Sequence, residues 1–487
     1  MTSARDGGDA LDPALLRLIG VILLGGMLGI LNSTMVAVGI DTLAGAFTAS
    51  LSTIGWASTG FLLAVTAAIP FTTWAVDRYG GRRMWLAGLV LFLAGSLGSG
   101  LAWNAGGLIA FRVVQGLGAG ILDPLVLTLL ARAAGPARAG RVMGLMGVVL
   151  SLGPVLGPVA GGLVLSRLDW RWMFLLNVPV GLVALLLALR VLPADGGAGK
   201  RAAGPLDTLG LALLGPGFAA VVLALSQSAE RGAFTAWQVL APLAAGALLL
   251  GGYALHAVRA SRGPGRVPPL IDPRLFTGAG FSASVTVMAL VGLATFASLF
   301  ALPLYYQQAH GHGVLMAGLL VAPVGVGAGV AMPLAGRLSD RLGARSLALG
   351  GATVALLAGT ALTRTGAGTA EVWPALAALA MGLGLGFVGA PTMGSLYRTL
   401  PPAQVPQGSS VLYMLNQLGA AIGIAVVTLI WQRAGDGDVM RGFHGVYWFA
   451  TGTIAAVLAL ALLLPGRPAP APVPAVPAPP PVPRPGR

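Results

Sequence analysis

Two stretches of this chain settle its architecture: Phe111-Arg112-Val113-Val114-Gln115-Gly116-Leu117-Gly118-Ala119-Gly120-Ile121-Leu122-Asp123, and Gly153-Pro154-Val155-Leu156-Gly157-Pro158-Val159-Ala160-Gly161-Gly162. Both lie in apolar runs of helical length, joined by a short basic loop. At about 100° per residue, Arg112, Gln115, Gly116, Ala119 and Asp123 share one helix face. An arginine and an aspartate inside helices of hydrocarbon length are costly, so such groups face a protein interior or a wet cavity. In the second stretch Gly153, Gly157 and Gly161 recur at every fourth position, with Gly162 beside them, forming a bare groove for close helix contact. Pro154 and Pro158 each lack an N–H, which weakens the backbone ladder and permits bending. A polar interior beside an adjustable helix contact is what a transporter requires.

Composition points the same way. The chain has 487 residues, 56% hydrophobic and only 9% charged, with mean hydropathy +0.85. Apolar runs of 18 or more residues recur along its length, each able to cross a bilayer as a helix. Cysteine is absent, which excludes disulfides, thiolate nucleophiles and Cys-ligated metal. No His-rich metal cluster, Ser/His/Asp set or P-loop is evident, so neither a cofactor nor direct ATP use is expected, and a membrane enzyme is disfavoured. The first 17 residues are polar, and the apolar run after them is too long for a signal peptide.

Fourteen membrane helices are predicted, near 18–40, 54–76, 84–103, 107–131, 141–165, 172–192, 207–227, 236–257, 280–306, 314–336, 345–363, 372–398, 407–432 and 443–464. Assigning alternate loops to the two sides places 22 Lys and Arg residues on the side of both termini and six on the other, with Arg112 alone inside a helix. By the positive-inside rule both termini are cytoplasmic. The net charge of +14 is therefore topological, and nucleic acid is not an expected partner.

The chain also repeats itself. Thr73-x₃-Asp77-Arg78-x-Gly80-x-Arg82 returns 263 residues later as Gly336-x₃-Asp340-Arg341-x-Gly343-x-Arg345. Each copy follows the second helix of a six-helix half, which predicts two parallel bundles with solute bound between them. The expected organisation is a cytoplasmic segment 1–17, a six-helix bundle 18–192, a linker with two extra helices 193–279, a second bundle 280–464 and a tail 465–487. That tail holds 11 prolines in 23 residues and is expected to be extended. In each repeated loop, carboxylate and guanidinium can pair or cap a helix end and so latch that side shut; a plain basic loop with a tight turn is the simpler alternative.

On these motifs the chain is identified as a member of the major facilitator superfamily, similar to its fourteen-helix drug:proton antiporters. The loop signature matches Asp77-Arg78-Tyr79-Gly80-Gly81-Arg82-Arg83, with Thr73 in place of the usual leading glycine. Arg112-Val113-Val114-Gln115-Gly116 resembles the family's fourth-helix pattern, and Gly153-Pro154 through Gly161-Gly162 its antiporter signature. Trp170-Arg171-Trp172-x-Phe174-x-x-Asn177-x-Pro179-x-Gly181 resembles the opening of its sixth helix. The resemblance implies an all-α exporter of lipophilic or cationic compounds in exchange for protons. It also implies a plasma-membrane location, action as a monomer and no cofactor beyond a proton gradient. A lipid, siderophore or metabolite exporter on the same fold is the alternative.

One position departs from the family. Where an aspartate is usual in the first helix, this chain has Leu31-Asn32-Ser33-Thr34, and an amide cannot exchange a proton at physiological pH. Asp123 then becomes the best-placed carboxylate, either a proton carrier or a group locked by hydrogen bonds. Burial penalises its charged form. The resemblance implicates Arg112 in proton transfer; holding helix carbonyls is its alternative role, with Gln115 as partner in either. Asn32, Gln115, Tyr413, Asn416 and Gln417 are candidate substrate contacts. Tyr305 and Tyr306 are expected in an interfacial aromatic belt, His310 and His312 in a solvated loop, and Asp41 and Asp207 as helix caps.

Overall fold

Within a bilayer an apolar run satisfies its backbone only through its own hydrogen bonds, that is, as a helix. The computed structural model describes residues 12–195, 204–231, 233–262, 267–434 and 439–466, and among these the regular elements are helices without a strand. Thirteen of the described helices are long and apolar enough to cross a membrane. α1 (Pro13–Val38) opens on an Asp12 cap whose carboxylate accepts from the Ala14 N–H at 3.2 Å, so it begins before the boundary expected at residue 18. A short amphipathic α2 (Ile40–Phe47) follows, then α3 (Leu51–Tyr79) and α4 (Gly81–Gly100).

The fourth and fifth expected helices are not separated by a loop. Two helices, 105–134 and 136–167, meet directly at the non-helical Gly135 (φ 64°, ψ 170°) and together are labelled α5 (Ala105–Arg167). A glycine adopts that left-handed conformation without steric cost, so the chain changes direction within a single residue. The fifth expected crossing, 141–165, is the part of α5 beyond this break. The sixth helix is divided at Leu176 into α6 (Trp172–Leu175) and α7 (Asn177–Val191).

The inserted pair is α8 (Thr208–Arg231) and α9 (Trp237–Arg262); the second half comprises α10 (Ala279–Gln308), α11 (Val314–Leu342), α12 (Ala344–Leu362), α13 (Val372–Thr399), α14 (Val405–Arg433) and α15 (Val439–Ala461). α5 is the hub of the first half, packing on α1, α3 and α4, and it also meets α11 and α13 of the second half. On the other flank α8 packs against both α3 and α14. The Pro-rich tail lies outside the described residues beyond Gly466.

The halves touch at the end carrying the repeated Asp-Arg loops. There Thr73 donates to Ser410 Oγ at 2.7 Å. A Cβ at Gly140 would fall on Ser339 and Asp340, and one at Gly144 on the backbone of Met332 and Pro333. Topology is open to a direct check, because the native chain has no cysteine. Single cysteines at the exposed positions Arg231 and Arg364 are expected to react with an impermeant reagent outside intact cells, whereas those at Arg78 and Arg341 are spared; the reverse pattern refutes the arrangement.

Candidate functional site

Two polar clusters occupy the interior, one inside the first half and one across the seam. Arg112 is fully buried. Its Nε donates to the Ala57 carbonyl at 3.0 Å, and its Nη1 donates to Gln115 Oε1 at 2.7 Å and to Asn32 Oδ1. The guanidinium lies 4.1 Å from the centroid of the Phe61 ring, a favourable cation–π position. Gln115 passes the network to Ser96 Oγ at 3.0 Å, where Asn177 also donates at 3.2 Å. Ser96 and Asn177 both donate to the Phe174 carbonyl, at the break between α6 and α7. One arginine thereby ties α1, α3, α4, α5 and α7 together through neutral acceptors.

Asn32 and Gln115, expected to contact substrate, are fully buried in this network and face Arg112 rather than an open cavity. An uncompensated guanidinium requires acceptors more strongly than a cavity requires an amide. Ser96 was not singled out by sequence, and Asn177 was quoted only within a motif, with no role assigned to it. A serine in an apolar run carries no signal of its own, whereas Asn177 stands in the motif at the sixth helix.

Asp123 sits on the same helix, roughly 16 Å from Arg112 along its axis. It faces the seam, where the Tyr413 hydroxyl on α14 donates to its Oδ2 at 2.5 Å. Its Oδ1 lies beside Gly29 of α1, and its side chain is half-buried. The bond joins positions 290 residues apart and so links the two halves. Asn416 donates to the Met288 carbonyl at 3.0 Å, and Gln417 is half-buried one residue on.

The glycine groove of α5 meets α1. A Cβ at Gly153 would strike Ile30, one at Gly157 would strike Thr34, and one at Gly161 would press on the Met35 backbone at 3.2 Å; Gly162 has nothing within 4 Å. The side chains of Pro154 and Pro158 lie outside the described residues.

The repeated loops are alike in outline and different in partners. Gly80 (φ 94°) and Gly343 (φ 82°) make the same left-handed turn. Asp77 meets Arg132 at 3.2 Å, and Asp340 meets Arg398 at 2.9 Å. The N–H groups of Arg82 and Arg83 donate to the two oxygens of Asp195, each at 3.0 Å. Arg345 is held instead by the Leu464 and Pro465 carbonyls. Asp340 also accepts from the backbone N–H of Gly140 and Arg141, so it bridges the halves, whereas the Asp77 bonds stay within one. Arg78 and Arg341 are exposed at the same end.

Two further expectations need revision. Tyr305 and Tyr306 are fully buried in the second half, not in an interfacial belt, because Tyr305 donates to the Gly366 carbonyl and stacks on Phe443. His310 and His312 are not simply solvated. His310 Nε2 lies 2.9 Å from the Tyr305 hydroxyl and His312 Nε2 lies 2.5 Å from Glu371.

The profile of the Major Facilitator Superfamily matches residues 22–424 and also residues 284–485. The chain belongs to the major facilitator superfamily. It is a membrane transporter rather than an enzyme. It is 37% identical over 428 residues to a multidrug resistance protein B homolog of Mycobacterium tuberculosis, covering 88% of this chain and 78% of that one. It is 28% identical over 446 residues to a lincomycin resistance protein of Listeria innocua, covering 92% of each. In fold it resembles the crystal structure of the human organic anion transporter MFSD10, with TM-score 0.65 and 17% identity over 92% of this chain and 100% of that one.

The two loop pairs differ in exposure: 16% and 15% for Asp340 and Arg398, against 44% and 37% for Asp77 and Arg132. Solvent screens the exposed pair, which contributes about 0–1 kcal/mol. Asp340→Asn is therefore expected to increase several-fold the reactivity of a cysteine in place of Ser339, which is buried against Gly140, with Asp77→Asn having the smaller effect. Equal effects would show that the bridge between the halves does not hold them together.

Proposed function

We propose that the chain exports lipophilic or cationic compounds in exchange for protons, by alternating access between its two halves. The observation carrying this reading is the Asp123–Tyr413 hydrogen bond across the seam, in a chain whose first-helix site is an amide. Its relatives are named for multidrug and lincomycin resistance, which supports drugs as cargo. The excess of arginine at the touching end supports cytoplasmic termini, a plasma-membrane location and closure on the cytoplasmic side in the state described. The chain works as a monomer with no cofactor but the proton gradient.

The cycle follows from charge. An ionised Asp123 accepts a charge-assisted bond from Tyr413, which is about twice as strong as a neutral one. A proton arriving from outside neutralises the carboxylate, weakens the seam and favours opening to the cytoplasm. There the proton leaves and a cationic solute takes its place on Asp123. Return to the outward-facing state carries that solute across. Asn416 and Gln417, near Tyr413 on α14, supply polar contacts for it, and Arg112 with Asn32 and Gln115 keeps the first half rigid while the seam moves. The Asp77, Arg78, Gly80, Arg82 loop and the Asp340, Arg341, Gly343, Arg345 loop act as latches. The Gly153, Pro154, Gly157, Pro158, Gly161, Gly162 segment lets α5 slide and bend against α1.

The test is uptake into inverted proteoliposomes driven by an imposed pH gradient, with a cationic dye as solute. Asp123→Asn is expected to lose concentrative uptake and to retain downhill exchange. An Asp123→Asn protein that still concentrates the dye shows that the proton travels elsewhere.

A further inference from the structure

The inserted pair lies on the flank where α8 packs against both α3 and α14, and its fastenings to the two halves are unequal. Toward the first half they run the length of α8. Trp74 of α3 donates its Nε1–H to the Gly204 carbonyl, just ahead of α8, at 3.1 Å. A Cβ at Gly215 would come within 3.0 Å of the Ala67 carbonyl, so the two backbones approach closely there. The hydroxyls of Thr59 and Ser226 lie 3.5 Å apart. From Gly215 to Ser226 is three helical turns along one face, so about 16 Å of α8 is held against α3.

α9 is joined as closely to α8. A Cβ at Gly246 would fall 2.9 Å from the Gly217 carbonyl. At the end of the repeated loops Asp207 caps α8 by accepting from the Gly210 N–H at 2.8 Å, and the same oxygen lies 2.8 Å from His256 Nε2 on α9. The segment after α9 is held to it in turn. Tyr253 donates to the Ile271 carbonyl at 3.1 Å and accepts from its N–H at 2.8 Å, and Arg274 donates to the Ser261 carbonyl at 2.6 Å. α8, α9 and the stretch from Ile271 to Arg274 therefore form one body with α3. Phe276, by contrast, is held to α10 by the Ser282 hydroxyl at 2.8 Å, so the covalent joint to the second half falls at Leu275. The fastening to α14 is local: the Asp272 N–H donates to Gln407 Oε1 at 3.1 Å. Gln407 stands one turn before Ser410, which is bonded to Thr73 across the seam.

We propose that the inserted pair is a strap that travels with the first half and is buckled to the second by the Asp272–Gln407 bond, which must break before the seam opens at the end of the repeated loops. This rests on the alternating-access reading above. Separation of α3 from α14 carries Asp272 away from Gln407, while Thr59, Ala67 and Trp74 keep their partners on the strap. A neutral hydrogen bond of this kind shifts an equilibrium by up to about tenfold. That is enough to bias the closed arrangement and weak enough to be broken in every cycle.

The experiment uses the full chain, which has no native cysteine, with dye transport in proteoliposomes as the readout. Thr73→Cys with Ser410→Cys places two thiols where the hydroxyls lie 2.7 Å apart, and their disulfide is expected to stop transport until reductant is added. Asp272→Cys with Gln407→Cys, joined by a short bifunctional methanethiosulfonate, is expected to do the same. Thr59→Cys with Ser226→Cys, oxidised to a disulfide, is expected to leave transport as it is in the reduced protein. Transport through the Thr73–Ser410 disulfide refutes alternating access itself, and the strap with it. Transport through the Asp272–Gln407 crosslink, with the Thr73–Ser410 disulfide still blocking, overturns the strap alone; so does a block by the Thr59–Ser226 disulfide. Gln407→Ala gives an independent reading, because it only shortens a half-buried side chain. It is expected to raise several-fold the reactivity of a cysteine in place of Ser339, on the opposite flank of the seam, and unchanged reactivity overturns the strap as well.

Discussion

A guanidinium cannot lose its proton inside a membrane at any accessible pH, so the bundle around Arg112 must be built to hold a permanent charge. It does so without a carboxylate. Asn32, Gln115, the Ala57 carbonyl and the Phe61 ring surround it, and Ser96 and Asn177 extend the network to the broken sixth helix. The geometry of the first half depends on this arrangement, because removing one acceptor leaves a buried charge unsatisfied at a cost of about 1–3 kcal/mol or more. The amide at Asn32 has a physical consequence: it accepts from Arg112 without neutralising the charge, and under the proposed function the titrating group lies elsewhere.

Of the two carboxylates described at the seam, Asp340 is paired with Arg398, whereas Asp123 is held by a hydroxyl. A hydroxyl donor supports the ionised acid without neutralising it, which is the property on which the proposed exchange of proton for cationic solute rests. The two halves provide the leverage. They share the Asp-Arg loop and its left-handed glycine, and both copies reach across, the first through Thr73 to Ser410 and the second through the Asp340 carboxylate, whose counterpart Asp77 bonds within its own half. The two copies are alike in outline and differ in the partners of their carboxylates, Arg132 for Asp77 and Arg398 for Asp340.

Much of the fold was legible because membrane helices are long and charges within them are few. Arg112 and Asp123 stood out for that reason, and the 263-residue offset exposed the duplication. The loop expected between the fourth and fifth helices was wrong because Gly135 followed by Pro136 reads as a loop, while the chain needs only one left-handed residue to redirect a helix. Tyr305 and Tyr306 were misplaced because a pair of tyrosines at a helix end reads the same whether it faces lipid or a neighbouring helix. The Asp123–Tyr413 bond and the Asp195 cap had no local signature at all. Each joins residues far apart in sequence, and periodicity reports only which face a residue occupies, not what lies opposite.

The central claim is that one carboxylate serves proton and solute in turn. Calorimetric titration of the purified protein with a cationic substrate, in buffers of different ionisation enthalpy near neutral pH, counts the protons released on binding. The account predicts net proton release by the native chain and none by Asp123→Asn, with binding of uncharged substrates preserved. Proton release of unchanged size from the Asp123→Asn protein would contradict it.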